Sequence, residues 1–217
     1  MQNTFKKILI PKSLLVLIML AITLNLLRIV LFGKLSFIYL LWNIFLAMIP
    51  FMISSTLLYY NNNDKLNNSL FIVGSIFWIL FLPNAPYIVT DLIHIGVVRS
   101  VPVLYDSVLL FTSAWIGLLL GMHSLFHMEK ILLSKYSKKV TSIIIVVVLL
   151  LSSFGIYLGR FLRFNSWDIF TNPLSFFNIL LNTLYYSPYH IEALIYIVLF
   201  FSFTYVSYIS WKYSNLE

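Results

Sequence analysis

Residues 13–32 read SLLVLIMLAITLNLLRIVLF, and this stretch decides the fold class. A helix of about 20 apolar residues crosses a hydrocarbon core of about 30 Å, so the stretch is long enough to span a membrane. It is too long for the apolar core of a signal peptide, and no small-residue cleavage site follows Phe32. We therefore expect a retained first transmembrane span.

The composition of the whole chain agrees with residence in a membrane. Of its 217 residues, 61% are hydrophobic and 10% are charged, whereas a soluble domain carries about 25% charged residues. So few charges leave too little polar surface for a soluble monomer, and that class is excluded. The chain has no cysteine, which rules out disulfides, thiol catalysis and cysteine-ligated metals.

Five further apolar runs follow the first, with approximate limits 36–60, 69–95, 103–126, 140–159 and 191–211. Continuous apolar stretches such as residues 143–151 do not alternate, as the strands of a membrane β-barrel would. The pattern predicts an all-α polytopic transmembrane bundle of about six spans. We expect it to form a single integral membrane domain over residues 1–217.

The distribution of basic residues predicts the orientation of the bundle. With both termini inside, nine lysines lie on the inner side and five basic residues on the outer side, which agrees with the positive-inside rule. We therefore expect cytoplasmic termini in a plasma membrane, and a short surface helix in the inner loop 128–139. The net charge of +7 comes from basic residues that set the orientation of the spans. We therefore expect no nucleic-acid partner. The outer basic residues are Arg28, Lys34, Arg99, Arg160 and Arg163.

The third run is interrupted by Pro83 and Pro86. Each proline favours an extended conformation in the residue before it, and Asn84 can bond the backbone groups that the break releases. Beyond the break, Asp91 and His94 are three residues apart and share a helix face. One interpretation places these three polar residues around one outward-facing cavity. The alternative is a proline-terminated helix followed by a loop whose polar side chains face water.

The fifth run ends in a second polar block on the same expected side. Arg160 and Arg163 share a helix face there, and Asn165, Trp167 and Asp168 follow. A desolvated arginine needs an acidic or phosphate partner, and Asp91 and Asp168 are the acids expected at this depth. Plain anchoring at the interface by arginine and tryptophan is the alternative. Residues 174–186 then predict an amphipathic helix lying in the outer interface.

Two blocks of this sequence, LPNAPYIVTDL at residues 82–92 and GRFLRFNSWD at residues 159–168, carry a family resemblance. They resemble a bacterial family of multi-pass membrane proteins that is described only as a domain of unknown function. The resemblance covers about residues 40–210. It implies membrane location, and it suggests that the polar residues of the two blocks belong together.

Weaker signals lie in the first and fourth runs. Asp106 is an acid early in a span, which makes it a candidate functional residue. Arg28, near the end of the first run, could join the outer site or extend its side chain to the surface. His123 and His127 have the spacing of two metal ligands, but Ser124 stands where a zinc hydrolase motif has glutamate. We expect no metal and no cofactor.

Three functions are compatible with these patterns. The first is binding or transport of a small or lipid-like anionic ligand at an outward-facing polar cavity, because interrupted helices build the sites of many transporters. The second is an intramembrane enzyme acting on a lipid-linked substrate. Asp91 would be its acid or base with His94 as partner, and Arg160 with Arg163 would hold an anionic headgroup. The third is a structural or assembly protein whose polar pairs only fix the bundle. Apart from the bilayer itself, an anionic lipid or small molecule is the expected partner.

Overall fold

The computed structural model describes residues 11–164 and 190–214, and between them residues 171, 173, 174, 177, 178, 181 and 182. These residues form helices and connecting turns, and none of them lies in a strand. The long helices are α1 Lys12–Phe32, α2 Tyr39–Asn62, α3 Asn68–Phe81, α5 Val103–Lys135, α6 Lys138–Phe161 and α7 His190–Ser214. Between α3 and α5 lie the single turn α4, Asn84–Tyr87, and the 3-10 helix Ile88–His94.

The described helices confirm a multi-pass membrane protein with six spans. Each of the six is long and apolar enough to cross a membrane, and the third, Asn68–His94, comprises α3, α4 and the 3-10 helix. Helix α5 differs from expectation, because it continues without interruption for 33 residues to Lys135. The separate surface helix expected over residues 128–139 was therefore wrong, since no proline or glycine interrupts α5 after Gly121. The amphipathic helix expected over residues 174–186 lies largely outside the described residues.

The break in the third span is a change of helix type, so the expected extended conformation was wrong. Leu82, with φ −54° and ψ −40°, and Pro83, with φ −56° and ψ −29°, both stay in the right-handed helical region. Pro86 lies in the first turn of α4, where a helix does not need the missing N–H. Asn84 Nδ2 donates to the carbonyl of Phe81 at 2.9 Å, so its side chain does bond the released backbone.

The chain divides into two compact units, Met1–Ser137 and Lys138–Glu217. The core of the first unit contains buried side chains from α1, α2, the broken third span and α5, among them Leu14, Phe51, Ile88 and Ile116. In the second unit α6 packs against α7, with Tyr157 and Ala193 in their shared core. The expected single domain stays a prediction.

Candidate polar site at the broken third span

Two glycines on α5 pack closely against the break in the third span. Gly117 and Gly121 are one helical turn apart, and a side chain at Gly117 would collide with the backbone carbonyl of Ala85. At Gly121 a Cβ would lie 3.3 Å from the Cβ of Ala85. Small residues at this spacing let a second backbone approach a membrane helix closely. The glycine pair therefore lets the backbone at Ala85, within the break of the third span, pack closely against α5.

The 3-10 helix Ile88–His94, which follows the break, contains a buried acid. Asp91 is 2% exposed, and its Oδ2 accepts a hydrogen bond of 2.9 Å from Nδ2 of Asn43 on α2. A 3-10 helix has three residues per turn, so Ile88, Asp91 and His94 lie on one face. Ile88 is completely buried on that face. The helix type thus places Asp91 among buried side chains.

His94, at the end of the 3-10 helix, also contacts α2. Its ring meets the ring of Tyr39 edge to face, with centroids 6.4 Å apart. Tyr39 and Asn43 are one turn apart on α2, so the same helix face contacts His94 and Asp91. The structure therefore brings Asp91 and His94 to one face of α2, while Asn84 bonds the end of α3.

A second acid, Asp106, forms an ion pair with Arg28. The sequence alone allowed Arg28 either to join the outer site or to reach the surface. Arg28 Nε and Nη2 donate to Oδ1 and Oδ2 of Asp106 at 2.8 and 3.2 Å. Arg28 Nη1 donates to the carbonyl of Lys34 and to Ser36 Oγ, both at 3.1 Å, and the guanidinium lies 4.3 Å from the ring centroid of Phe37. Both side chains of the ion pair are about 1% exposed. Arg28 therefore does not reach the surface, and it ties α1 to the start of α5.

These two acids have different chemical settings. Most of the hydrogen-bonding groups of Arg28 and Asp106 have partners inside the bundle, which is typical of a structural ion pair. Asp91 lies on non-α backbone near the end of a candidate span and receives a hydrogen bond from a neutral amide. A carboxylate in such a place is a candidate functional group. The surroundings of Asp91 supply amide, imidazole and carboxylate groups at one end of the first unit.

The second polar block belongs to the second compact unit. Arg160 lies in the last turn of α6 and is half-buried. Arg163 is exposed and has φ 58°, because α6 already ends at Phe161. The expected shared helix face of these arginines was therefore wrong: the N–H of Phe164 bonds the carbonyl of Leu158 at 3.2 Å and closes the helix end. Asn165, Trp167 and Asp168 lie outside the described residues, and the pairing of the arginines with acids stays a prediction.

The two histidines of α5, His123 and His127, lie toward the other end of that helix, and both contact Phe51 of α2. Ring centroids of His123 and His127 are 6.3 and 5.6 Å from that of Phe51. His127 Nδ1 is 3.1 Å from Ser55 Oγ. Among the described residues, no group of three metal-ligating side chains is present. Packing and hydroxyl contacts account for the position of His127.

Sequence reasoning missed Asn43 and the glycine pair. Asn43 sits alone in an apolar run, and only the fold shows that it faces Asp91, 48 positions away. The glycine pair had a visible signal, since residues 117–121 read GLLLG, a G-x-x-x-G pattern inside an apolar run. This pattern marks close helix packing and could have located the partner of the broken turn.

Comparison with known proteins gives one match. The model of a family described as "Protein of unknown function (DUF1361)" matches residues 42–207. Neither the curated proteins nor the solved structures gave a match.

Proposed function

The chain belongs to this family of unknown function, and on that premise we propose that it binds or transports a small or lipid-like anionic ligand at the outward-facing end of the first unit. The site comprises Asn43, Asn84, Asp91 and His94. We place the protein in a bacterial plasma membrane with cytoplasmic termini. The observation that carries the proposal is the polar 3-10 segment Ile88–His94 of a membrane span, which lies at the same end of the unit as the exposed cations Lys34 and Arg99.

The backbone at the site supports ligand binding. Non-α backbone at membrane depth is tolerated where it packs against protein or lines a wet cavity. Here the glycine pair covers one side of the break, and Asn43 and Tyr39 contact the 3-10 helix. Broken helices of this kind form the binding sites of many transporters.

The charges at this end of the unit favour an anion. Lys34 follows α1 and Arg99 follows the 3-10 helix, so the chain path brings both to the end where the site lies. Both residues are exposed. Exposed cations raise the local concentration of anions and speed their approach. The amides of Asn43 and Asn84 and the ring of His94 are of the kind that donate to a phosphate or carboxylate headgroup.

The proposal is tested by lipid-dependent stability of the purified full chain. In mixed micelles, we expect the apparent unfolding temperature to rise more with phosphatidylglycerol than with phosphatidylcholine. Asn43→Ala is expected to weaken the apparent affinity for phosphatidylglycerol about tenfold or more, because a hydrogen bond to a charged group contributes about 1.5–3 kcal/mol.

Asn25→Ala is the matched control. Asn25 is a buried asparagine whose amide donates to Ala21 within α1, whereas Asn43 is half-buried and bonds another element, so the response of Asn25→Ala to phosphatidylglycerol should persist. Inorganic phosphate added alone separates a free anion from a lipid headgroup. Equal stabilisation of the unmodified chain by both lipids, with no effect of phosphate, would contradict the proposal.

A further inference from the structure

A row of exposed apolar side chains runs along α2, starting at the end where the polar site lies. Ile38, Trp42, Phe45 and Met52 are each between 50% and 54% exposed. They follow one another at intervals of four, three and seven residues, which keep side chains on one face of an α-helix. We call this row the α2 stripe. It is about 21 Å long, so it covers the depth of one membrane leaflet, which is about 15 Å.

An exposed cation stands at the head of the α2 stripe. Lys34 is exposed and is followed directly by Leu35, whose side chain is 61% exposed. Hydrogen bonds hold the backbone of this turn: the carbonyl of Lys34 accepts one of 3.1 Å from the buried Arg28, and the N–H of Ile38 bonds the carbonyl of Leu35 at 3.0 Å. The turn therefore keeps a positive charge next to the apolar row.

The face of α2 beside the stripe contacts the polar 3-10 helix. Asn43 directly follows Trp42 in the chain and bonds Asp91. Tyr39 lies one turn earlier on the same face and contacts the ring of His94. Successive residues of an α-helix turn by about 100°, so the apolar stripe and this polar face adjoin. A molecule lying on the stripe therefore meets a cation at its head and polar groups at its side.

A second exposed row, on α5, has a different head. Its members are Leu104, Val108, Phe111 and Trp115. Four residues separate the exposed Arg99 from Leu104, and the acid at this end of α5, Asp106, is paired with Arg28. The α5 row therefore provides a comparison for ordinary contact with lipid.

We infer that the α2 stripe binds the acyl chains of an anionic diacyl phospholipid whose phosphate lies at Lys34. The inference rests on the proposed function and narrows its ligand to a membrane lipid, because a free phosphate would use the cation without the stripe. Apolar contact supplies the area, and the cation distinguishes an anionic headgroup from a neutral one. Trp42 suits the boundary between them, since an indole ring packs against hydrocarbon while its N–H can bond a headgroup.

Quenching of tryptophan fluorescence by brominated lipids tests this inference on the full chain in nanodiscs. Trp42→Phe and Trp115→Phe each give the contribution of one exposed tryptophan, as the difference from the unmodified chain. At Trp42 we expect brominated phosphatidylglycerol to bind about twofold to fivefold more strongly than brominated phosphatidylcholine, the range that one exposed ion pair supplies. At Trp115 the two lipids should quench equally.

Two lysine variants accompany the measurement. Lys34→Gln should make the two lipids equal at Trp42, whereas Lys65→Gln, an exposed lysine beyond the other end of α2, should keep the preference. A preference that survives in Lys34→Gln would overturn the placing of the phosphate.

Equal quenching at Trp42 in the unmodified chain would overturn the inference, because it indicates unselective lipid or a stripe covered by another protein surface. If phosphatidylglycerol or inorganic phosphate still raises the unfolding temperature in that case, the proposed function stands without the stripe. If neither does, both are wrong.

Discussion

At the scale of single residues, Asp91 and Asp106, two of the three acids that are buried in the described part of the first unit, have different partners. Asp106 accepts two hydrogen bonds from Arg28, and Asp91, on the 3-10 segment, accepts one from the amide of Asn43. A buried charge whose partner is removed remains uncompensated. The ion pair should therefore matter for folding, and Asp91 for the site.

We expect Asp106→Asn to destabilise the chain by about 3–5 kcal/mol, because it leaves the guanidinium of Arg28 buried without its counter-charge. The measurement is the apparent unfolding temperature in detergent, together with the amount of protein in the membrane. Asp64→Asn is the matched control: Asp64 is exposed and has φ 54°, a conformation that asparagine also accepts.

A double variant separates charge loss from loss of packing. Arg28→Met with Asp106→Leu removes both charges and should recover much of the stability, since paired apolar replacements of buried ion pairs are often neutral. If Asp106→Asn accumulates and unfolds like the unmodified chain, the structural role of the pair is refuted.

At the scale of elements, the glycine pair lets the broken turn of the third span pack closely against α5 at Ala85. We expect Gly117→Ala to destabilise the chain by about 1–3 kcal/mol, because the added methyl meets the backbone carbonyl of Ala85. Gly74→Ala is the comparison, since the nearest atoms to its Cβ belong to the side chain of Leu57 and not to backbone, so we expect the smaller loss. Thermal unfolding of the two variants side by side measures the difference. Equal losses of stability in the two variants would show that the close packing of Gly117 against Ala85 is not required.

A buried serine joins three elements at mid-span. Trp78 on α3 donates to Ser124 Oγ at 2.7 Å, and that hydroxyl donates to the carbonyl of Pro50 on α2 at 2.9 Å. Ser124→Ala leaves the indole N–H and the carbonyl without this partner, so we expect a loss of about 1–3 kcal/mol. Ser107→Ala, whose hydroxyl bonds Val103 in its own helix, should change the unfolding temperature little. Similar losses in both variants would contradict a link between helices.

The elements also show what the sequence can predict. Hydrophobic length located all six spans, because the bilayer demands about 20 apolar residues in each. The geometry of the break was not predictable from Pro83 and Pro86, since proline in a first turn keeps helical angles. Pairings such as Arg28 with Asp106, 78 positions apart, depend on how helices pack. No local spacing rule contains that information.

At the scale of the whole molecule, we expect the six apolar helices of the described residues to be six spans, which brings residues 11 and 214 to the same side of the membrane. We expect the turn between α5 and α6, near Lys138, to face the cytoplasm, and the turn after α1, near Lys34, to face outward. In intact cells, a membrane-impermeant maleimide added outside should label a single cysteine at Lys34→Cys and should not label one at Lys138→Cys. Labelling at Lys138→Cys from outside would reverse the orientation and place the polar site on the cytoplasmic side.

The central claim is that an anionic ligand occupies the polar site at the broken span. Native mass spectrometry of the full chain, released from nanodiscs that contain equal amounts of phosphatidylglycerol and phosphatidylcholine, measures this directly. We expect phosphatidylglycerol to be retained preferentially by the unmodified chain and by Asn25→Ala, and to be lost from Asn43→Ala. Equal retention of the two lipids by the unmodified chain, or undiminished retention of phosphatidylglycerol by Asn43→Ala, would contradict it.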